Sequence, residues 1–134
     1  MIRLAAIDHV VFRVADLDES LRFYTEVLGA SLEKVQEEIV LWQLRAGTSL
    51  IDLVPVDGRL GRMGGGPPAR DGRNVDHVCF RVLPWDEAAI LRHLADRGFE
   101  VEVAQRYGAE GNGPSIYLSD PDGNGIELKG PPVV

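Results

Sequence analysis

Residues 7–14 read IDHVVFRV, and residues 75–82 read VDHVCFRV. Six of the eight positions agree, among them a histidine in third place, His9 in one copy and His77 in the other. The alternation of β-branched and aromatic residues marks both stretches as strands. Successive strand residues point to opposite faces. Val10, Phe12 and Val14 therefore share one face, with His9, Val11 and Arg13 on the other. In the second copy Val78, Phe80 and Val82 oppose His77, Cys79 and Arg81. A strand written twice, at an offset of 77 − 9 = 68 residues, predicts an internal duplication.

The residues downstream of each strand extend the repeat. DLDESLRFYTEVLG (16–29) reads as a helix with Asp16 as N-cap, Glu19 three residues on, an apolar face of Leu17, Leu21, Tyr24 and Leu28, and Gly29 as its stop. PWDEAAILRHLADRG (84–98) reads likewise, with early acidic residues, apolar Ala89, Ile90 and Leu94, and Gly98 as its stop. VLWQLRAGTSLIDL (40–53) then matches SIYLSDPDGNGIEL (115–128) without a gap at 127 − 52 = 75, which pairs Trp42 with Tyr117. Each contains two short strands joined by a turn. The fold class is thus α+β, with a first βαβββ module over 1–56 and a second over 74–134. Residues 57–73, with six glycines and two prolines, read as a flexible connector.

The closing strands repeat the pattern of the opening ones. Ile51 and Leu53 share a face with Asp52 opposite, and Ile126 and Leu128 share a face with Glu127 opposite. The expected core is Val10, Phe12, Val14, Leu21, Leu28, Ile51, Val78, Phe80, Val82, Ile126 and Leu128. If a pseudo-two-fold pairs the modules, His9, Asp52, His77 and Glu127 converge. Two imidazoles and two carboxylates suit one divalent first-row ion, zinc, nickel, iron, cobalt or manganese. Cys79, with no base beside it, reads as a small core filler.

The bulk properties bound the function. A net charge of −7 argues against a nucleic-acid partner, although Arg59, Arg62, Arg70 and Arg73 crowd into GRLGRMGGGPPARDGR (58–73). No apolar run approaches the roughly 20 residues that a membrane span needs. Cys79 as sole cysteine allows no intramolecular disulfide, and the opening MIRLAAIDH is unlike a signal peptide, so a cytoplasmic protein is expected. The expected partner is a small-molecule substrate.

DHVVFRVADLDESLRFYTEVLG (8–29), LIDLVP (50–55), DHVCFRV (76–82) and DPDGNGIEL (120–128) together resemble the vicinal oxygen chelate superfamily. That superfamily includes glyoxalase I, extradiol dioxygenases, methylmalonyl-CoA epimerase and the fosfomycin and bleomycin resistance proteins. The resemblance implies paired βαβββ modules forming a cupped mixed sheet with helices outside, and metal ligands on first and last strands, here His9, Asp52, His77 and Glu127. It also implies a homodimer. In glyoxalase I an arginine at the position of Arg13 meets the glutathione carboxylate, and Arg81 is its second-copy counterpart. Two departures stand out. Asp52 replaces the family's glutamate, and Val56 replaces an asparagine, which argues against glutathione itself. An extradiol dioxygenase would use His9, His77 and Glu127 as an Fe(II) triad, with Tyr117 at the site. The only further histidine is His93, on a helix, and Asp52 would fill an iron position that such chemistry needs open. The preferred reading is a glyoxalase-like lyase or isomerase: proton transfer on a substrate chelated through vicinal oxygens, Glu127 by preference carrying the proton and Asp52 the opposite candidate, Arg13, Arg81 and Tyr117 contacting substrate. The dioxygenase, and a non-enzymatic small-molecule or antibiotic-binding resistance protein, are the alternatives.

Overall fold

The computed structural model describes residues 1–132. The chain divides into two compact units, Met1–Ala69 and Arg70–Val134. Each runs strand, helix, three strands, which is the expected βαβββ order. The first comprises β1 (His9–Val14), α1 (Leu17–Arg22), β2 (Ser31–Gln36), β3 (Leu41–Ala46) and β4 (Ser49–Pro55). The second comprises β5 (His77–Arg81), α2 (Glu87–Asp96), β6 (Val103–Gly108), β7 (Gly111–Ser119) and β8 (Gly125–Lys129). Among the described residues no helix is long and apolar enough to cross a membrane.

Both sheets are mixed, with strand orders β1-β4-β3-β2 and β5-β8-β7-β6. A helical crossover lets the last strand return parallel to the first, while the last three strands run antiparallel. The two parallel ladders set Val11 opposite Asp52 and Cys79 opposite Glu127.

The helix signals are realised. Asp16 caps α1 by accepting from the Glu19 amide at 3.0 Å, and Asp86 caps α2 by accepting from Ala89 at 3.1 Å. Gly29 and Gly98 stand just past the helices with φ of 81° and 87°. One feature departs from regular helical periodicity. After Arg22 the helix widens into a π-turn over Phe23–Val27. The extra residue in the turn lets two adjacent aromatics, Phe23 and Tyr24, both face inward at 4% and 0% exposure. Tyr24 stacks on Phe12 of β1 at 5.5 Å and meets Phe23 edge-on at 5.0 Å.

Phe12, Val14, Ile51, Ile126 and Leu128 are buried as expected. Val10, Leu21, Leu28, Val78, Phe80 and Val82 are only half-buried, and Ala89 is exposed. In the second unit the helix buries Leu94 alone, so the sheet face beneath it is incompletely covered. Leu44, Leu53, Ile116 and Leu118 complete the core from the hairpins.

The hairpins also correct the ungapped repeat. Gln43 faces Asp52, and Tyr117 faces Glu127. The separations are 52 − 43 = 9 and 127 − 117 = 10, so the second turn is one residue longer. Gln43, not Trp42, is the counterpart of Tyr117. Part of the segment expected to be a connector is docked on the first unit: the Arg13 guanidinium donates to the carbonyls of Gly61, Gly65 and Gly66.

Ile126→Ala should lower stability by about 2–5 kcal/mol, as for other fully buried aliphatic truncations. Phe80→Ala, at a half-buried position, should cost less than Ile126→Ala in the same urea titration. The reverse order would mean that α2 covers its sheet more closely than the exposure of Phe80 implies.

Candidate metal centre

In the second unit, β5 opens on His77 and its parallel neighbour β8 carries Glu127 on the same face. His77 Nε2 lies 3.1 Å from Glu127 Oε1. The carboxylate is only 5% exposed, and Ser115 donates to its other oxygen at 2.7 Å. The Tyr117 hydroxyl and the Cys79 thiol also favour its charged form. Burial alone would raise the Glu127 pKa. The hydrogen bonds from Ser115, Tyr117 and Cys79, with the charge of His77, outweigh that and hold it below the usual carboxylate value. Glu127 is thus an ionised, tightly held carboxylate. Partial burial of the sulfur, then the charge of Glu127, push the Cys79 thiol up to about 11, which keeps it protonated and inert. Cys79 is exposed, and so is not the core filler its size suggested.

The surroundings of this pair are polar. The His77 ring meets Tyr117 edge-on at 5.8 Å, and the Arg106 guanidinium lies 5.8 Å above the Tyr117 ring. Lys129 is buried, with Nζ donating to the carbonyls of Arg106 and Gly113 and reaching Ser115 Oγ at 3.4 Å.

The first unit holds the equivalent pair differently. Asp52 is 2% exposed, and the Gln43 amide donates to both of its oxygens at 3.4 and 3.3 Å. Gln43 is itself fixed by Gln36, 2.8 Å away. Burial raises the Asp52 pKa against the opposing pull of Gln43 and His9. In both units the histidine Nδ1 meets the aspartate that precedes it, His9 with Asp8 at 2.6 Å and His77 with Asp76 at 2.8 Å.

The second-unit pair is spaced as two ligands of one divalent ion would be. Two ligands each about 2.0–2.2 Å from one ion stand roughly 3.0–3.4 Å apart, and the His77–Glu127 separation of 3.1 Å lies in that range. Imidazoles whose Nδ1 is engaged by a carboxylate leave Nε2 for a metal. Among the described residues no group of three or more His, Cys, Asp or Glu side chains stands together as a metal-holding set. Of the expected substrate contacts, Tyr117 lies beside the His77–Glu127 pair. Arg81 is paired with Glu110 at 2.9 Å, and Arg13 is engaged by loop carbonyls. The sequence pattern does not single out Ser115, Gln43, Gln36, Lys129 or either aspartate. Only the aspartates leave a signal in it, since each copy reads Asp-His.

A family model described as the Glyoxalase/Bleomycin resistance protein/Dioxygenase superfamily matches residues 6–128. Virulence protein STM3117 of Salmonella typhimurium is 31% identical over 91% of this chain and 81% of its own length. Its crystal structure superposes with a TM-score of 0.78 at 28% identity, covering 98% of this chain and 100% of that one. Metallothiol transferase FosB of Bacillus licheniformis is 28% identical over 94% of this chain and 75% of its own length. Lactoylglutathione lyase from Agrobacterium tumefaciens, 20% identical with a TM-score of 0.65 over 95% of this chain and 94% of that one, shares the fold.

The geometry fixes a pH dependence. Hydrogen bonding to Asp76, followed by the charge of Glu127, raises the His77 pKa above 6.5. The stability gained from this pairing is therefore complete below the unfolded value and is lost as pH rises through the raised folded value. In an NMR titration of the metal-free protein the His77 ring should titrate above 6.5, and Glu127→Gln should lower that midpoint. An unchanged midpoint would show that the two side chains do not interact in solution.

Proposed function

The chain belongs to the Glyoxalase/Bleomycin resistance protein/Dioxygenase superfamily, and from that premise we propose that it is a divalent-metal enzyme, a lyase or isomerase that moves a proton beside a carbonyl. The ligand set His9, Asp52, His77 and Glu127 is part of this proposal, as is a homodimer acting on a small molecule. A bound divalent ion supplies the Lewis acidity that polarises neighbouring substrate oxygens.

The observation that carries the reading is Asp52. It is a second buried carboxylate, at 2% exposure, placed on its strand as Glu127 is on β8. An iron triad needs one carboxylate; a proton-transfer site has use for two with different duties. Glu127 accepts from Ser115 and faces His77, which suits a residue that stays in place. Asp52 is held by one amide, which orients it without competing for a proton. We therefore assign Glu127 to holding and Asp52 to carrying the proton. Tyr117, 41% exposed under Arg106, offers a phenol and a cation to a polar or anionic end of the substrate.

The likeness to metallothiol transferase FosB favours a second reading, transfer of a thiol to a small electrophile. The two differ in what they consume.

Purified protein should bind a divalent ion stoichiometrically, and His77→Ala should lose it. With hydroxyketones and thiohemiacetals under nitrogen, exchange of the proton next to the carbonyl should be catalysed with any of several redox-inert ions. Asp52→Asn should slow it by about 10²–10⁴-fold with metal retained, the usual yield of general acid–base catalysis. Consumption of a thiol without proton exchange would favour transfer, and oxygen uptake with Fe(II) and a catechol would overturn both.

A further inference from the structure

Each candidate histidine is preceded by an aspartate whose carboxylate reaches back to its ring. We propose that Asp8 and Asp76 are positioning residues that keep the proton of His9 and His77 on Nδ1 and so present Nε2 to the metal; the inference rests on the proposed metal site. The contact appears in both copies of the repeat, at 2.6 Å in the first unit and 2.8 Å in the second. Neither aspartate lies within a strand: β1 begins at His9 and β5 at His77. The alternation that would send a preceding side chain to the opposite face therefore does not bind them, and both turn toward the ring.

Folding does not account for the arrangement. The two carboxylates are 90% and 96% exposed, and exposed pairs of this kind add little to stability. Left to itself, an exposed aspartate stays hydrated, yet here both settle on the same ring atom. A carboxylate on Nδ1–H selects the tautomer whose Nε2 carries the lone pair, orients the ring and makes that nitrogen a better donor. In the metal-free second unit that nitrogen faces the Glu127 carboxylate at 3.1 Å, which itself favours a proton there, so the tautomer is read on His9. The Asp-His dipeptide is thus kept in both copies of the module, with the aspartate serving the histidine in each.

The test compares zinc affinity, by competition with a chromogenic chelator at fixed mildly alkaline pH, with the ring tautomer of the metal-free protein read from long-range proton–nitrogen NMR. Asp8→Ala and Asp76→Ala should each weaken zinc binding about 10–100-fold, the range for losing such a partner. Asp8→Asn and Asp76→Asn should recover most of it, because the amide oxygen still accepts from Nδ1–H. At the same mildly alkaline pH, where the pairing no longer adds stability, the melting temperature of the metal-free variants should not move. The Nδ1–H form should prevail for His9 in wild type and in Asp8→Asn and give way in Asp8→Ala. Zinc affinity in the alanine variants equal to wild type would overturn the inference while leaving the metal site standing. Failure of the wild type to bind zinc would sink the metal reading, and an Nδ1–H form equally populated in Asp8→Ala would then overturn the positioning role as well.

Discussion

The parallel contact between the first and last strand of each unit is the constraint on which the rest depends. β1 lies on β4 and β5 on β8, and in each pair one strand brings an imidazole while the other brings a carboxylate to the same face. Strand periodicity couples this to the core. Ile51 and Leu53 flank Asp52, and Ile126 and Leu128 flank Glu127, all of them buried. A slip of one residue would turn the carboxylate into the apolar layer and its neighbours outward, at a cost in both burial and desolvation. The core therefore locks the register, and the register delivers the polar pair.

The duplication has not kept the two pairs alike. The carboxylate of the second unit accepts from the Ser115 hydroxyl of β7 and faces an imidazole, whereas that of the first accepts from one amide of β3. Two copies of one framework thus present two carboxyl groups in contrasting environments, one held below the ordinary carboxylate pKa and one raised above it. Divergence of this kind lets a repeat divide labour that a symmetric ancestor would have had to share.

Most of this was legible in the chain. Alternation sorted the faces of β1, β4, β5 and β8, and capping residues marked both helices, because each signal is local and short in range. What escaped depended on geometry that no local pattern encodes. One additional turn residue in the second hairpin moved the partner of Tyr117 from Trp42 to Gln43, and with it the recognition that each carboxylate has a donor on the neighbouring strand. The π-turn buried Phe23 beside Tyr24 where a regular helix would have turned one of them out. Asp8 and Asp76 stayed hidden because alternation assigns them to the far face, a rule that lapses where the strand has not yet begun. The half-buried Val78, Phe80 and Val82 show that periodicity names the face a residue occupies but not how completely that face is covered.

The Arg13 clamp has a consequence for how this sequence can drift. The guanidinium engages the 61–66 segment solely through main-chain oxygens, so it is indifferent to most of the side chains displayed there. Arg62 and Met63 both project into solvent. The clamp is not indifferent to bulk at the points where the backbone comes close. A β-carbon on Gly64 would fall 2.2 Å from Arg13 Nε, and one on Gly61 would fall 1.8 Å from the Pro55 carbonyl oxygen. In a saturation library of this segment, tolerance should therefore be strongly uneven over neighbouring positions, with free exchange at 62 and 63 and near-invariance at 61 and 64. A stretch that composition alone would class as interchangeable linker carries a steric signature fixed by the Arg13 side chain at one point and the Pro55 backbone at another.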